Sequence, residues 1–275
     1  MRIAALQLCS GDDPAGNVEP VRAAVRDAAG QGARTIFTPE VTNCVSLSRS
    51  RQREVLKGEA DDPVLAMLLA EARDLGVWIH AGSLALTGGG ERFLNRGFVL
   101  SPEGRITARY DKMHMFDVAI TPEETFRESD AFAPGDTAVV TDFAGARLGL
   151  SICYDLRFAH LYRRLAKAGA DILAVPAAFS PETGRAHWEV LLRARAIETG
   201  SYVVAAAQSG THPATEGRAR HTWGHSMVVS PWGEVIAQMD EGTGPLIAEI
   251  DLAQVRSART RVPSLRHDRA FGVTS

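Results

Sequence analysis

Cysteine is scarce in this chain, and what there is does not pair. Three residues, Cys9, Cys44 and Cys153, stand among 275. They form no CxxC pair, and an odd number cannot all close into disulfides within one chain. A disulfide framework and a zinc ribbon are thereby set aside, and a reduced, cytoplasmic setting is expected. Long apolar runs are missing as well. No segment reaches the roughly 18 residues of a membrane-spanning helix. The opening MRIAALQLCS has one basic residue and a short alternating run, not the pattern of a signal peptide. No sign of charge dominates: 30 Lys and Arg against 33 Asp and Glu give a net charge of −3, which offers no footprint for nucleic acid. The histidines include no HExxH helix. His212 and His221 flank a polar loop and read as solvated side chains, so neither a metal nor a cofactor is expected.

What the chain does have is alternation of strand and helix patterns. Arg2–Leu8 reads as a strand and residues 16–31 as a helix, with Val18, Val21, Ala24, Val25 and Ala28 on one stripe. Arg34–Thr38 is a short strand stopped by Pro39. A helix starts at Pro63, capped by Asp61 or Asp62, and ends at Gly76. Val77–Leu86 follows, then a turn at the glycines 88–90, then a hairpin of Phe93–Leu100 and Arg105–Tyr110. The second half repeats the rhythm: strand Arg147–Ile152, helix 158–168, strand Asp171–Val175, helix His187–Thr199, strand Ser201–Ala206. Strands near 223–229, 234–238 and 245–250 and a helix over 251–260 complete it. Two such halves predict an α/β fold in four α-β-β-α layers. With no Pro/Gly/Ser-rich linker between them, one domain over 1–275 is expected, its last residues, about 262–275, forming an arm. On the 187–199 helix, Trp188, Leu191, Leu192, Ala196 and Thr199 share a face with Arg195, which is therefore expected to be buried and paired.

Three residues carry possible chemistry. Cys153 ends a strand and precedes a helix, where backbone N–H groups favour thiolate; a buried structural cysteine fits the same position. Glu40 lies just past the carboxyl end of a strand, where ligand sites of α/β sheets gather, and burial there would raise its pKa; a solvated loop glutamate fits as well. Lys112 follows the last strand of the first half and could neutralise an oxyanion or lie on the surface.

Taken together, FTPE, YDKMHMFD and GLSICYDLRF, in that order and each after a predicted strand, resemble the glutamate, lysine and cysteine motifs of the nitrilase (carbon–nitrogen hydrolase) superfamily. The resemblance runs from IAALQL through PWGEVIAQ to the final helix. It implies that Glu40, Lys112 and Cys153 form a catalytic triad, and that Glu128, in TFRESDAFAPGD, is a second catalytic glutamate orienting Lys112 or the amide. It implies too that Lys112 and the backbone N–H of Tyr154 stabilise the oxyanion. Arg157 would grip a substrate carboxylate, a reading favoured over its pairing with Asp155 or Glu189. Phe179 and Thr183 are further substrate contacts. The stretches PAAFSPETG, YVVAAAQSGTH and GHSMVVSPWGEV resemble the Nit branch. That likeness implies an amidase acting through a Cys thioester on the primary amide of a small acidic substrate. Within the branch, deaminated glutathione amidases are favoured over ω-amidases acting on α-ketoglutaramate. Hydrolysis of N-carbamoyl amino acids, or a catalytically silent binding protein, are the alternatives. The family resemblance also implies a homodimer or larger homo-oligomer. Two departures bear on substrate: Asp111 beside Lys112, and the basic loop THPATEGRARH over residues 211–221.

Overall fold

The computed structural model describes residues 1–88, 90–120 and 125–274. The first sheet takes β1 (Arg2–Gln7), β2 (Thr35–Phe37), β3 (Trp78–Thr87), β4 (Phe93–Leu100) and β5 (Ile106–Asp111). Between them run α1 (Pro14–Gly30), α2 (Arg49–Val55) and α3 (Pro63–Leu75). A small hairpin, β6 (Asp117–Ala119) and β7 (Thr125–Arg127), leads to β8 (Val140–Phe143) and β9 (Ala146–Gly149). Then come α4 (Ala159–Lys167), β10 (Ile172–Ala174), α5 (Pro181–Thr199) and β11 (Tyr202–Ala205). A second hairpin, β12 (Ser209–Thr211) and β13 (His221–Trp223), precedes β14 (Met227–Val229), β15 (Val235–Gln238), β16 (Gly244–Glu249) and α6 (Ala253–Arg261).

The two six-stranded sheets run β16-β1-β2-β3-β4-β5 and β8-β9-β10-β11-β14-β15. Read that way, each has one antiparallel edge strand, three parallel strands and two antiparallel strands. The expected repeat of two halves is therefore present in the pairing itself. What the sequence did not disclose is the exchange: β16, from the end of the chain, edges the sheet of the first half.

Period-two alternation sorts the strand residues between two cores. Ala4, Leu6 and Ile36 pack with Val21 and Val25 of α1 and Leu68 of α3. Ile3, Ala5 and Phe37 point the other way and join Leu148, Ile172 and Val203 of the second sheet. Phe143 on β8 meets Phe37 and Trp78 edge-on, at 5.3 and 5.6 Å between ring centroids. Helices α4 and α5 cover the outer face of the second sheet, through Leu161, Leu165 and Leu192. The layers are thus α-β-β-α, as expected.

Local signals explain most boundaries. Asp62 caps α3 by accepting from Leu65 N at 2.8 Å, and Gly76 ends it in the left-handed conformation at φ 63°. The helix expected over 187–199 begins instead at Pro181, behind Ser180. Gly184 hid this start, since it weakens a helical pattern. It is required there because a Cβ would meet Trp223 Cγ at 2.2 Å. Helix α2 and strands β6, β7, β8 and β12 were missed; α2 has no apolar stripe, and the strands are three or four residues long. The predicted turn at 88–90 lies partly outside the described residues.

Candidate active site

Glu40 sits on a loop that leaves β2 and is pinned on all sides. Ser83 Oγ accepts from Val41 N at 2.9 Å, Thr42 Oγ1 donates to Pro39 O at 2.7 Å, and Gln208 Nε2 donates to Glu40 O at 3.1 Å. Val41 itself is held at φ 46°, a conformation that costs a β-branched residue energy. Beneath the loop lies Gly82, where a Cβ would stand 2.0 Å from Thr38 O.

Lys112 follows β5. Its Nζ donates to Glu40 Oε1 at 2.8 Å and to both oxygens of Glu128 at 2.8 and 2.9 Å. Glu128 also accepts Phe116 N at 2.6 Å. Asn95 Nδ2 bridges the two carboxylates, 3.0 Å from Glu40 Oε1 and 3.3 Å from Glu128 Oε1. Asp111, the neighbour of concern, turns to the opposite face of the strand and forms a bidentate pair with Arg96 at 2.7 and 2.9 Å.

Cys153 follows the segment that leaves β9. It opens a single turn of 3-10 helix, Cys153–Arg157, at φ 51°, with its N–H donating to Pro176 O at 2.8 Å. A non-glycine residue held in the left-handed region marks a constrained turn, and such strain clusters at functional sites. The side chain is 6% exposed.

These side chains meet at one cavity of about 330 Å³, lined among others by Glu40, Lys112, Glu128, Cys153 and Tyr154, with Phe179 and Thr183 on its wall. The electrostatics differ from the sequence-based expectation in sign. Burial pushes the Glu40 carboxyl up, but Lys112, Arg220 and the nearby Cys153 thiol together hold it below the usual carboxylate range. Burial, reinforced by Glu40 and opposed by Lys112, pushes the Cys153 thiol well up. Lys112 loses proton affinity to burial and regains more from Glu128 and Glu40. The resting site is thus a neutral thiol beside a carboxylate and an ammonium. Glu40 Oε2 makes no hydrogen bond of good geometry among the described residues.

Arg157 is placed differently from the other expected contacts. It is not on the cavity wall: its guanidinium lies behind Tyr154 and Phe179, 5.7 and 5.6 Å from their ring centroids, and donates to His187 Nδ1 at 3.3 Å. Neither Asp155 nor Glu189 pairs with it among the described residues. Asp155 is occupied by Tyr110, His114 and Ile152 N, and Glu189 by Arg193. Arg195 is buried and paired as expected, donating to Leu156 O at 2.9 Å and to Glu198. His212, expected in solvent, is 1% exposed: its Nδ1 donates to Ser10 O at 2.8 Å, and burial lowers its pKa to about 4. Asn95, Arg218 and Arg220 were missed as site residues. Asn95 gave no signal beyond a polar residue in a hairpin strand, whereas the two arginines lie in the basic loop already visible in the sequence.

Comparison with known proteins places this architecture. The model of the carbon–nitrogen hydrolase family matches residues 2–260. The chain belongs to the carbon–nitrogen hydrolase family. A deaminated glutathione amidase from Yersinia enterocolitica is 38% identical over 270 residues, covering 97% of this chain and 92% of its own. The NitFhit protein of C. elegans is 36% identical with a TM-score of 0.89; the match covers 98% of this chain and 65% of that one. A glutamate-to-glutamine mutant of an amidase from Nesterenkonia sp. AN1, solved with acrylamide added at its active-site cysteine, is 28% identical with a TM-score of 0.78; the match covers 96% of this chain and 98% of that one. The resemblance to the Nit branch of the nitrilase superfamily holds, and the protein is an amidase, a hydrolase of carbon–nitrogen bonds other than peptide bonds. Among the described residues no group of three or more His, Cys, Asp or Glu could hold a metal ion, and no helix is long and apolar enough to cross a membrane.

Proposed function

We propose that this carbon–nitrogen hydrolase cleaves the amide of a small acidic compound through a thioester on Cys153, deaminated glutathione first, from which cysteinylglycine leaves, whereas a primary amide such as α-ketoglutaramate would release ammonia. The observation that carries the catalytic assignment is the convergence of Cys153 with the buried Glu40–Lys112–Glu128 cluster in one cavity. The choice of substrate rests on the near-full-length similarity to deaminated glutathione amidases.

In the first step the Cys153 S–H bond breaks, its proton passes to Glu40, and sulfur bonds to the amide carbon. The thiol's raised pKa means that it is deprotonated as it attacks rather than beforehand. The Lys112 ammonium and the Tyr154 N–H, in the first turn of the short helix, face the developing oxyanion; one such donor is worth about 3–4 kcal/mol. Protonated Glu40 then gives its proton to the departing nitrogen as the C–N bond breaks. The amine leaves, cysteinylglycine from deaminated glutathione or ammonia from a primary amide, and the acyl group stays on sulfur. Water next loses a proton to Glu40 as its oxygen bonds to the thioester carbon. Collapse expels sulfur, which recovers the proton, and the carboxylic acid departs, losing its own proton to solvent. Glu128, bound to Lys112 by both oxygens and fixed by Phe116 N, holds the ammonium toward the cavity. Acrylamide on the cysteine of the Nesterenkonia amidase supports Cys153 as the nucleophile.

The deciding assay compares α-ketoglutarate release from deaminated glutathione and from α-ketoglutaramate, the latter also read as ammonia, with Cys153→Ala as control. Preference for deaminated glutathione is expected, and the control is expected to be inactive. Parent-like turnover by the control would refute the nucleophile, and a large preference for α-ketoglutaramate would move the protein to the ω-amidases. A homodimer is also proposed, supported by Val190 and Ile197 of α5, which stand 68% and 56% exposed; a purely monomeric sizing profile would count against it.

A further inference from the structure

The cavity has a charge pattern that the catalytic cluster does not use. At its floor, Glu40 and Glu128 are engaged with Lys112. Among the described residues, the remaining charged side chains on its wall are arginines: Arg49, Arg127, Arg218 and Arg220. Arg49 is paired with Asp130 at 3.0 Å. Arg218 and Arg220 have no carboxylate partner among the described residues. Arg220 is partly buried. One of its terminal nitrogens donates to Ala178 O at 2.7 Å, and its charge reaches Glu40 and lowers that carboxyl's pKa. Arg218 is exposed, toward the mouth.

The loop that carries both is fixed at its base. Buried Asp12 accepts Thr215 N at 2.7 Å and Thr215 Oγ1 at 2.9 Å. His212 accepts from Thr222 Oγ1 at 2.7 Å while donating to Ser10 O, and its own N–H donates to Arg220 O at 2.9 Å. The strands β12 and β13 pair on either side. Such a loop meets a ligand without first being ordered, which removes a cost of binding. A guanidinium offers the planar fork that suits a carboxylate.

We propose that Arg218 and Arg220, not Arg157, form the carboxylate-recognition end of the cavity, with Arg220 holding the acidic group nearer the scissile amide and Arg218 a second one toward the mouth. The class of ligand this fits is an amide that carries two free carboxylates. The orientation rests on the amidase reading; the binding does not.

The test uses glutarate, a dicarboxylate with no amide, as a protecting ligand while iodoacetamide labels Cys153 in the full-length protein, read by mass spectrometry. Glutarate is expected to slow labelling of the parent, and pentane-1,5-diol to have no effect. The midpoint for glutarate should rise about ten-fold in Arg218→Gln and further in the Arg218→Gln/Arg220→Gln pair, as loss of a charge-assisted hydrogen bond implies. Arg218 is exposed, so that single variant is informative even where loss of the Arg220–Ala178 bond disturbs the fold. In parallel, kcat/KM of Arg218→Gln should fall most for deaminated glutathione, which has two carboxylates, less for α-ketoglutaramate, which has one, and not for propionamide. Parent-like protection in both variants would overturn the assignment. So would equal losses on acidic and neutral amides, a parent that glutarate does not protect, or protection abolished by Arg157→Gln alone. A parent that hydrolyses no amide would instead sink the amidase reading and leave the protection experiment to decide the subsite.

Discussion

Tyr110 and Asp155 are joined by a 2.7 Å hydrogen bond from the phenol to a carboxylate with no exposed surface. The same carboxylate accepts His114 Nδ1 at 2.6 Å, His114 N at 3.1 Å and Ile152 N at 2.8 Å. Tyr110 and His114 stand two residues before and after Lys112, and Asp155 stands two residues after Cys153. One buried charge therefore sets the spacing between the segment that carries the ammonium and the segment that carries the sulfur. His114 is further held by stacking on Phe158, 3.5 Å between ring centroids.

Tyr110→Phe tests that clamp. Removing a hydrogen bond to a buried charge should cost about 1.5–3 kcal/mol, read as a lower urea midpoint. The larger effect should fall on kcat, because a displacement of about 1 Å at a reacting group can cost roughly a hundred-fold. KM should move little. A destabilised variant with parent kcat would mean that the clamp holds the fold and not the site.

Glu40→Gln separates the two influences on the thiol. Glu40 is the second-largest cause of the raised Cys153 pKa, after burial, and Lys112 opposes both. Replacing the carboxylate by an amide should lower the thiol's pKa, so alkylation by iodoacetamide should begin at lower pH than in the parent. Turnover should nevertheless fall by about 10²–10⁴, since the proton carrier is gone. An alkylation profile unmoved or shifted upward would show that Glu40 does not face the sulfur.

Much of this was legible beforehand, and the exceptions share a cause. Strand and helix rhythm identified the four layers because each element buries one face, and burial writes a period into the sequence. The cluster of Glu40, Lys112, Glu128 and Cys153 came from motifs, which mark the residues and not their electrostatics. The sign of the Glu40 shift depends on a 2.8 Å contact with a lysine 72 positions away, which no local pattern records. Asn95, bridging both carboxylates, has the sequence signature of any polar strand residue. Arg157 was assigned to the substrate by the family resemblance, yet the 3-10 turn directs it behind Tyr154 and Phe179.

Lys112→Gln makes that contact measurable as a change in pH dependence. In the parent, Glu40 has a folded pKa below its unfolded value of about 4.3. It therefore contributes stability that is present above that value and lost as pH falls through the folded pKa. Without Lys112, burial, already the largest single influence on Glu40, has its main opponent removed. The folded pKa should rise above the unfolded one, and stability should then be lost as pH rises through it. The deficit relative to the parent should be small near pH 4 and reach about 3–5 kcal/mol near pH 8, the cost of stranding a buried charge. Urea denaturation at both pH values reads this directly, and a deficit independent of pH would contradict it.

Gly82→Ala asks how tightly the Glu40 loop is seated. Gly82 lies within β3, where glycine is ordinarily a weakness. Its role here is contact distance: an added Cβ would stand 2.0 Å from Thr38 O, 2.5 Å from Pro176 Cβ and 2.6 Å from Pro39 O. Two of these belong to the turn that presents Glu40. The third is in the residue whose carbonyl accepts the Cys153 N–H. None is the far end of a flexible side chain, so relief requires the backbone of one loop or both to move. Overpacking of this kind typically costs about 1–3 kcal/mol, and a clash against backbone lies at or above the top of that range. The variant should therefore unfold at lower urea concentration and, while still folded, lose most of its turnover, because a shift of either loop separates Glu40 from the sulfur. Far-UV circular dichroism with the ammonia assay distinguishes the two effects. A folded Gly82→Ala protein with parent turnover would show that the loop can yield without moving Glu40, and that its many hydrogen bonds do not fix the carboxylate.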